Sequence, residues 1–396
     1  MKSSLLENFY SHVAQTSPEP LAIQIERAEG CYFFDNKGKA YLDLISGISV
    51  CNLGHSNPQI VQATKNQLDK YMHVMVYGEL IQQPQVELAE LLCQNLPTNL
   101  DSVFFVNSGS EAVEGALKLS KRATGRTEFI HFEKSYHGAT NGAMSVMGSE
   151  EYKAPFQPLL PDIKAIRFGI LEDLDQITTK TAGIIVELIQ GEAGVRIADK
   201  NYWQKLRQKC NDTQTLLIVD EIQTGLGRTG KLFAFEHYGI VPDILLLAKA
   251  FGGGLPLGAF IASKELMSLL THNPVLGHIT TFGGHPVSCA AALEHLRQII
   301  EGQYWLNAMQ IGEELYKIFI QQPHVKEVRN LGAIMAVEYF DTLLNFKKLH
   351  RFLDVGLFSD WFLWCDSASR LAPPLIFDEL NFKDLNYKLS LISNNI

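Results

Sequence analysis

The amino-acid sequence predicts an α/β protein in two unequal parts: a large domain with a mainly parallel sheet covered by helices on both faces, and a smaller α+β domain built from both chain ends. Between about residues 100 and 263, short β-rich runs alternate with helical patterns, as in chains that form parallel sheets. These runs are nearly all apolar, which is typical of strands covered on both faces. We expect strands at Ser102–Val106, Glu128–Phe132, Gly183–Ile189, Thr215–Asp220, Ile244–Ala248 and Ala259–Ala262.

Helical patterns lie between these strands and after them. They are found at Glu111–Thr124, Tyr202–Asn211, Val287–Ile300 and Asn307–Ile320, and a further strand is expected at Gly332–Phe340. No repeat, low-complexity run or Pro/Ser linker divides the chain, so its domains must share surfaces. We predict that residues 1–50 are part of the small domain, that residues 51–285 form the large domain, and that residues 286–396 complete the small domain.

Composition excludes several classes of protein. The chain has 396 residues, of which 46% are hydrophobic and 19% charged, so intrinsic disorder is excluded. Its 34 basic and 43 acidic residues give a net charge of −9 without any basic block, so nucleic acid is not an expected partner. Residues 1–17 contain one lysine and no long apolar stretch, so they do not resemble a secretory signal.

Three further patterns bear on location and metals. Ile244–Ser263 is apolar enough to suggest a membrane span, but Lys249, Pro256 and four glycines favour a strand, a glycine turn and a second strand, so no membrane is expected. The six cysteines stand far apart without a CxxC pair, which predicts free thiols in a reducing cytoplasm. The histidines form no HxxxH or HExxH pattern, so no metal site is expected.

The first candidate site follows the strand Ser102–Val106. Gly109 permits a tight turn there, and a helix begins near Ser110 or Glu111. The free N–H groups of a helix start, together with the helix dipole, form an anion site suited to phosphate. An ordinary serine-capped helix without a ligand is the alternative interpretation.

Two more signals lie at the ends of apolar strands, where open parallel sheets bind ligands. Asp220 ends one such strand, although an aspartate in a turn or helix cap would give the same pattern. Lys249 directly follows Ile244–Ala248; a desolvated lysine has a lowered pKa and attacks carbonyls, whereas a lysine that extends to solvent is the alternative. Together, a phosphate cradle, a carboxylate and this amine are the parts that pyridoxal phosphate needs for its phosphate, its pyridine nitrogen and its aldehyde.

A dinucleotide site is the competing interpretation. Gly225–Gly230 satisfies the GxGxxG pattern, and Asp243 follows Gly225 by eighteen residues. Such a fingerprint should open a helix directly after its strand. Here Glu-Ile-Gln-Thr intervenes after the strand and no helical pattern follows, so an NAD-dependent oxidoreductase is the weaker hypothesis.

Further motifs extend the comparison from about Tyr32 to Pro374. They are Gly47–His55, Asn107–Ala112, Tyr136–Gly138, Glu187–Gly194, Val219–Gly225, the Lys249 segment, Thr280–Pro286 and Arg370–Pro374. In this order they resemble the class III aminotransferases, fold-type I pyridoxal phosphate enzymes that include ornithine, acetylornithine and 4-aminobutyrate aminotransferases. The resemblance makes residues 51–285 the cofactor-binding domain.

The resemblance also implies roles for individual residues. Lys249 would bind the cofactor aldehyde and move the proton between substrate and cofactor carbons, and Asp220 would pair with the pyridine nitrogen. The other implied cofactor contacts are Ser108, Gly109 and Ser110 at the phosphate, Tyr136 stacked on the ring, Gln223 near the ring oxygen, and Thr281 at the phosphate of the neighbouring subunit. The role of Thr281 implies a homodimer with shared active sites; whether dimers pair into tetramers is left open.

Substrate contacts are implied in the same way. Arg370 would bind a substrate carboxylate as a bidentate fork. Glu192 resembles the family's switch residue, which neutralises this arginine when an ω-amino group enters and moves away for glutamate. Ala139 stands where acetylornithine and ornithine enzymes usually have arginine, and Ile48 where ornithine enzymes have tyrosine, so the amino donor is left open.

We therefore expect a cytoplasmic aminotransferase that uses pyridoxal phosphate. It would move an amino group from an ω-amino acid or an N-acylated diamino acid, of the acetylornithine or ornithine kind, to a keto acid such as 2-oxoglutarate. A racemase or aminomutase on the same scaffold is the alternative. Glu111, His137 and Glu187 are interpreted as structural, and Phe358–Trp364 either lines the substrate entrance or fills the core of the small domain.

Overall fold

The structure is a computed structural model that describes residues 4–393 of the chain. Helices and strands alternate over most of this range. The helices are α1 (Leu5–His12), α2 (Ser46–Ser49), α3 (Pro58–Lys70), α4 (Gln83–Gln94), α5 (Gly109–Thr124), α6 (Asn141–Ser145), α7 (Glu150–Lys153), α8 (Lys200–Thr213), α9 (Lys264–Ser268), α10 (Pro286–Glu301), α11 (Tyr304–Phe319), α12 (Thr342–Val355) and α13 (Glu379–Ser393). Short 3₁₀ turns lie at Ala154–Phe156, Leu171–Gln176, Ala234–His237 and Lys249–Gly252.

The strands group into a large sheet, two smaller sheets and a short hairpin within the described range. The large sheet contains β4 (Ser102–Val106), β5 (Glu128–Phe132), β6 (Ile163–Ile166), β7 (Thr181–Val186), β10 (Leu216–Asp220), β11 (Ile244–Leu247) and β12 (Gly258–Ala262). The smaller elements are β1 (Ile25–Glu29), β2 (Tyr32–Asp35), β3 (Ala40–Asp43) and β15 (Leu357–Phe358) in one sheet, β13 (Val325–Leu331), β14 (Ile334–Tyr339), β16 (Asp360–Phe362) and β17 (Cys365–Leu371) in the other, and the hairpin β8 (Ile189–Gln190) with β9 (Arg196–Ile197).

The large sheet is mainly parallel, as the sequence predicts. Its strand order is β4-β12-β11-β10-β7-β5-β6. β10 runs parallel to β7 and β11, and β5 runs parallel to β6 and β7. β12 is antiparallel to both of its neighbours, β11 and β4, because the connection 248–257 is too short for a helical crossover.

Two hydrophobic cores cover the two faces of this sheet. Successive residues of β7 point to opposite faces, so Ile184 lies in one core and Ile185 in the other. Trp203 of α8 packs in the first core, and Ala116 of α5 packs in the second. Helices therefore cover both faces, and the predicted fold class is confirmed.

Both chain ends contribute to the smaller sheets. β3, from the N-terminal fifty residues, pairs in parallel with β15 from the C-terminal part. The sheet β13-β14-β17-β16 comes entirely from the C-terminal part. Helix α10, which the sequence assigns to the small domain, packs against α3 and α4. The domain boundaries at residues 50 and 285 stay a prediction.

Differences from the predicted strands have local causes. The predicted strand Gly183–Ile189 ends earlier, at Val186, because the Glu187 carboxylate turns to accept hydrogen bonds from two neighbouring loops. Strand β6 was not expected from the sequence; it lies at the sheet edge with two exposed residues among its four. Ile244–Ser263 contains β11, a glycine turn and β12, and no helix between residues 4 and 393 is long and apolar enough to cross a membrane.

His295 of α10 is a titratable group inside the core. Its side chain is 1% exposed, and neither ring nitrogen has a hydrogen-bond partner among the described residues. Burial lowers the pKa of His295 to about 4. Because an unfolded histidine titrates near 6.5, the unfolded chain binds a proton below that pH before the folded chain does. The protein should therefore lose stability as the pH falls from 6.5 to about 4.

We predict that His295→Leu weakens this acid destabilisation. At pH 4 the substitution should remove a loss of roughly 3 kcal/mol in the free energy of unfolding relative to pH 7. Urea unfolding at a series of pH values measures the effect. His272→Leu, at an exposed histidine, should leave the pH dependence unchanged. Equal acid sensitivity of the wild-type and His295→Leu proteins would contradict the prediction.

Candidate active site

A cavity of about 410 Å³ opens beyond the carboxyl ends of β4, β10 and β11. This edge of the sheet is where an open parallel sheet binds ligands. The predicted site residues that line it are Ser108, Gly109, Ser110, Tyr136, Glu192, Asp220, Gln223 and Lys249. Arg370 contacts the cavity through Glu192, and Thr281 lies outside the cavity of its own chain.

One wall is the start of α5. The Ser108 hydroxyl accepts a hydrogen bond from the Glu111 N–H at 3.2 Å, and the Glu111 carboxylate accepts one from the Asn107 N–H at 2.8 Å. Ser110 Oγ accepts from the N–H of Ala139 at 3.2 Å, which ties this turn to the neighbouring one. Glu111 therefore has a structural role, and the start of this long helix is suited to an anion.

Glycines let the two turns approach closely. A Cβ at Gly109 would lie 2.8 Å from Ile222 Cδ1, and one at Gly138 would lie 2.2 Å from Ser110 Oγ. Gly138 also has a φ of +125°, a conformation that side chains disfavour. Gly138 is thus required by space and by backbone conformation, whereas a side chain at Gly109 would displace the end of Ile222.

Asp220 lies at the end of β10 and is 5% exposed. Its Oδ2 lies 2.7 Å from His137 Nδ1, and its Oδ1 accepts from the Ile222 N–H at 3.0 Å. The sequence interpretation gave His137 a structural role only, whereas the structure places it directly on the carboxylate. Its position beside Tyr136 in a recurring motif is the signal that could have identified it.

Lys249 follows β11 in a strained conformation. Its φ is +52°, in the left-handed region that non-glycine residues occupy at a cost of about 1–2 kcal/mol. The side chain lines the cavity, and no carboxylate of the described residues lies within ion-pair distance of its amine. Burial lowers the pKa of the Lys249 amine, and the nearby Glu192 charge partly opposes this. A larger fraction of the amine is therefore neutral and nucleophilic.

Gln223 and Glu187 surround the cavity on another side. Gln223 lines it, and its buried Nε2 has no hydrogen-bond partner among residues 4–393. Glu187 accepts hydrogen bonds from the N–H groups of Tyr136 at 2.8 Å and Gly191 at 3.0 Å. Burial raises the pKa of the Glu187 carboxyl to about 7. Glu187 thus holds two loops together, whereas Gln223 has a free donor for a ligand.

Arg370 and Glu192 form a buried bidentate pair. Arg370 Nη1 lies 2.7 Å from Glu192 Oε1, and Nη2 lies 2.8 Å from Oε2. Burial alone would raise the pKa of the Glu192 carboxyl, but the Arg370 guanidinium holds it below its ordinary value. The N–H of Leu363 donates to Oε2 at 3.1 Å, so the carboxylate is well satisfied. This pair separates the cavity from the small domain.

The aromatic residues of the segment Phe358–Trp364 lie in different surroundings. Phe362 is fully buried, and its ring centroid lies 4.6 Å from Arg370 Cζ. Trp364 lies near the cavity instead, with its ring centroid 6.3 Å from that of Tyr136. Trp361 is 46% exposed. Phe362 therefore packs in the core, and Trp364 lies beside Tyr136, which lines the cavity.

The glycine-rich stretch 225–230 is part of the packing between the two ends of the chain. Residues 222–229 form turns, and no helix opens after Gly230 in the described structure. Arg228 is fully buried and donates hydrogen bonds to the carbonyl oxygens of Ala333 at 3.0 Å and Pro373 at 2.5 Å. The context that a dinucleotide fingerprint requires is therefore absent from these residues. The described residues also contain no group of three His, Cys, Asp or Glu side chains placed to hold a metal ion.

A buried amine opposite an anion site and a fixed carboxylate defines an enzyme that acts on carbonyl or amino compounds. Comparison with known proteins identifies the family within this class. The family Aminotransferase class-III matches residues 13–392. The chain therefore belongs to the class-III aminotransferases, and the resemblance seen in its motifs is confirmed.

Individual relatives support the same assignment. The acetylornithine aminotransferase of Methanopyrus kandleri is 40% identical over 89% of this chain and 89% of its own length. That of Archaeoglobus fulgidus is 38% identical over 94% of this chain and 96% of its own. Among solved structures, an ornithine aminotransferase from Toxoplasma gondii has a TM-score of 0.90 at 26% identity, over 98% of this chain and 94% of its own.

We predict that Gly138→Ala disrupts the anion site. The added methyl group overlaps Ser110, so the free energy of unfolding should fall by about 1–3 kcal/mol, the range for overpacking. Stabilisation by inorganic phosphate in thermal unfolding should also decrease, because Ser110 is displaced. Ala139→Ser, at the exposed neighbouring position, is the matched control. Unchanged stability and unchanged phosphate protection in Gly138→Ala would show that a methyl group fits between residue 138 and Ser110, and would contradict the prediction.

Proposed function

We propose that the protein is a pyridoxal phosphate-dependent aminotransferase. It moves an amino group from an N-acylated diamino acid, of the acetylornithine kind, or from an ω-amino acid to a keto acid such as 2-oxoglutarate. The observation that carries the proposal is the partly desolvated Lys249 amine in a cavity with Asp220 at its base and the start of α5 at its side. Pyridoxal phosphate occupies part of the active sites in the similar T. gondii enzyme.

The residues of the cavity fit this cofactor. Ser108, Gly109 and Ser110 would hold the phosphate at the start of α5. Asp220 would pair with the pyridine nitrogen, and the ring of Tyr136 would lie against the cofactor ring. The unpartnered Nε2 of Gln223 supplies the donor that the ring oxygen requires. A buried donor without a partner is costly, so a ligand acceptor at this place would stabilise the site.

When bound, pyridoxal phosphate supplies an aldehyde and an electron-accepting ring. The Asp220 carboxylate would face the ring nitrogen in a fixed orientation, because His137 and the Ile222 N–H hold its two oxygens. The neutral Lys249 amine would accept the proton from the reacting substrate carbon and later return it, as general base and then acid.

The substrate end of the site contains Arg370 and Glu192. With Glu192 in place, the pair presents no free cation, so an ω-amino group enters without repulsion. When Glu192 moves away, Arg370 binds the carboxylate of a keto acid. Two relatives described as acetylornithine aminotransferases support an N-acylated ornithine as donor. Ala139 supplies no cation for a second carboxylate, so the donor is defined by class only.

A homodimer with shared active sites is part of the proposal. Thr281 is exposed and lies outside the cavity of its own chain, next to Phe282, which is 54% exposed. The Phe282 ring lies 4.9 Å from that of His73, in a segment that also exposes Ile81. An apolar surface of this kind favours contact with a second copy, which would bring Thr281 to the partner's phosphate. A cytoplasmic location is supported by the six free cysteines.

We predict that the protein with pyridoxal phosphate has a visible absorption band that an amino donor bleaches without any acceptor. Acetylornithine, ornithine and 4-aminobutyrate should be tested singly. Lys249→Ala should lower the rate of transamination by roughly 10²–10⁴-fold or more, because the general base is lost. Lys231→Ala, at an exposed lysine, is the control.

The outcomes separate the alternatives. A Lys249→Ala protein with a normal rate would refute the mechanism. Conversion of many equivalents of a donor per active site without any keto acid would indicate a racemase or aminomutase. Binding of NAD without pyridoxal phosphate would support the hypothesis of an NAD-dependent oxidoreductase.

We predict that hybrid dimers restore activity. Thr281→Ala should weaken cofactor binding about tenfold, the effect of one hydrogen bond to a charged group. In a hybrid of Lys249→Ala and Thr281→Ala chains, one of the two sites regains both side chains. Co-expression with two purification tags isolates the hybrid, whose activity should exceed that of either parent when pyridoxal phosphate is kept near the Kd of the wild-type protein. A hybrid no more active than its parents would contradict shared sites.

A further inference from the structure

Arg370 is bound by two carboxylates in this structure. Glu192 occupies its Nη1 and Nη2 atoms at 2.7 and 2.8 Å. Asp360 lies on the other side of the guanidinium, with Oδ1 at 3.0 Å from Nε, an ion-pair distance at an angle poor for a hydrogen bond. The carbonyl oxygen of Trp361 accepts from Nη2 at 3.1 Å. Asp360 therefore occupies the Nε side of the guanidinium, and Glu192 covers the edge formed by Nη1 and Nη2, called the terminal edge below.

The two carboxylates are held in different ways. Asp360 belongs to β16 and pairs directly with Arg370 of β17 in the antiparallel ladder. The ladder fixes its backbone beside Arg370, and its side chain has one rotatable bond fewer than that of Glu192. Glu192 follows β8 in a short loop, so side-chain rotation is enough to move its carboxylate. One partner is thus fixed by the sheet, and the other is exchangeable.

Asp360 has a charge that suits this position. Burial raises the pKa of the Asp360 carboxyl to about 6, while Arg370 acts against that shift. At the neutral or slightly alkaline pH of an assay the carboxyl is therefore ionised. Its side chain is 28% exposed, so substitution there does not open a cavity in the core.

We propose that Asp360 is a positioning residue for substrate carboxylates: it holds Arg370 by the Nε side, so that only the Nη1–Nη2 edge receives a carboxylate. This inference rests on the proposed function of Arg370. The substrate carboxylate and Glu192 then compete for the same edge and exclude each other. Because Asp360 stays in place during the exchange, the guanidinium is not left without a counter-ion when Glu192 moves away.

Removal of Asp360 has a definite structural consequence. The Nε side of the buried guanidinium would lose its only acidic neighbour among the described residues, so part of its charge would be left uncompensated. The guanidinium would turn to offer Nε and Nη2 to Glu192, a side-on arrangement that is also bidentate. Glu192 would then be harder to displace, and the terminal edge would no longer face the cavity.

Binding of glutarate tests the proposal without any transamination, since glutarate has neither an amine nor a ketone. The cofactor-loaded wild-type protein is compared with Asp360→Ala, Asp360→Asn and the control Asp366→Ala, an exposed position on β17. We expect Asp360→Ala to weaken glutarate binding about tenfold or more, as expected for a lost charged contact. Asp360→Asn retains shape and an acceptor without the negative charge, so it should bind glutarate at least as tightly as wild type.

Kinetics give a second readout. Asp360→Ala should raise KM for the keto acid while the half-reaction with the amino donor stays within about twofold of wild type, an interval below the usual effect of a lost contact. If Asp360 had a merely structural role, Asp360→Ala would lower the rates of both half-reactions together, and Asp360→Asn would not restore those rates. Tighter glutarate binding in both variants would show that Asp360 only repels anions, and it would overturn the proposal, as would unchanged binding in Asp360→Ala.

The design separates this inference from the proposed function. If no amino donor reacts with the wild-type protein, transamination fails, but the order of glutarate affinities still decides the role of Asp360. If Asp360→Ala does not fold, Asp360→Ser, whose short neutral side chain cannot reach the guanidinium, takes its place in the comparison. Glutarate binding to Asp360→Asn that is weaker than wild type by more than about threefold, a difference beyond ordinary surface effects, would contradict the proposal.

Discussion

The desolvation of Lys249 is the constraint on which the rest of the site depends. A lysine that follows a fully buried strand has lost water on most sides, and its left-handed backbone adds strain. The turn persists because its neighbours are tightly packed: Phe251 is fully buried, and a Cβ at Gly253 would lie 2.8 Å from the carbonyl oxygen of Ala291 in α10. A helix from the C-terminal part thus holds the reactive lysine of the large sheet in place.

The carboxylates around this lysine are each bound elsewhere. Asp220 is held by His137, Glu192 by Arg370, and Glu187 by two backbone N–H groups. Their charges still compensate part of the desolvation of Lys249, but no described carboxylate lies close enough to pair with its amine. The carboxylates therefore act on the Lys249 amine through their charge and not by direct contact. The amine stays available for a carbonyl. A direct ion pair would protonate it and remove its nucleophilicity.

Features that depend on local sequence were predicted well. β4 and β5 have the expected bounds, because an apolar run between polar turns defines a buried strand by itself. The pairing of β12 with β4 and the edge strand β6 depend on neighbours distant in the chain, so local patterns did not specify them. Most of the cavity lining was identified from motifs. The contact of His137 with Asp220 and that of Asp360 with Arg370 were not, because each joins side chains that only the folded sheets bring together.

The two proposed half-reactions require opposite charge states at Arg370. The donor's amino end is cationic and favours a neutralised arginine, whereas the keto acid requires a free one. A single carboxylate that leaves the guanidinium would expose a buried cation at each exchange, which is costly at low dielectric. In the proposed function, Asp360 in the ladder beside Arg370 would keep one charge compensated while Glu192 and the substrate carboxylate alternate on the other edge. That arrangement would lower the cost of each exchange, because the buried guanidinium would never be left without a counter-ion.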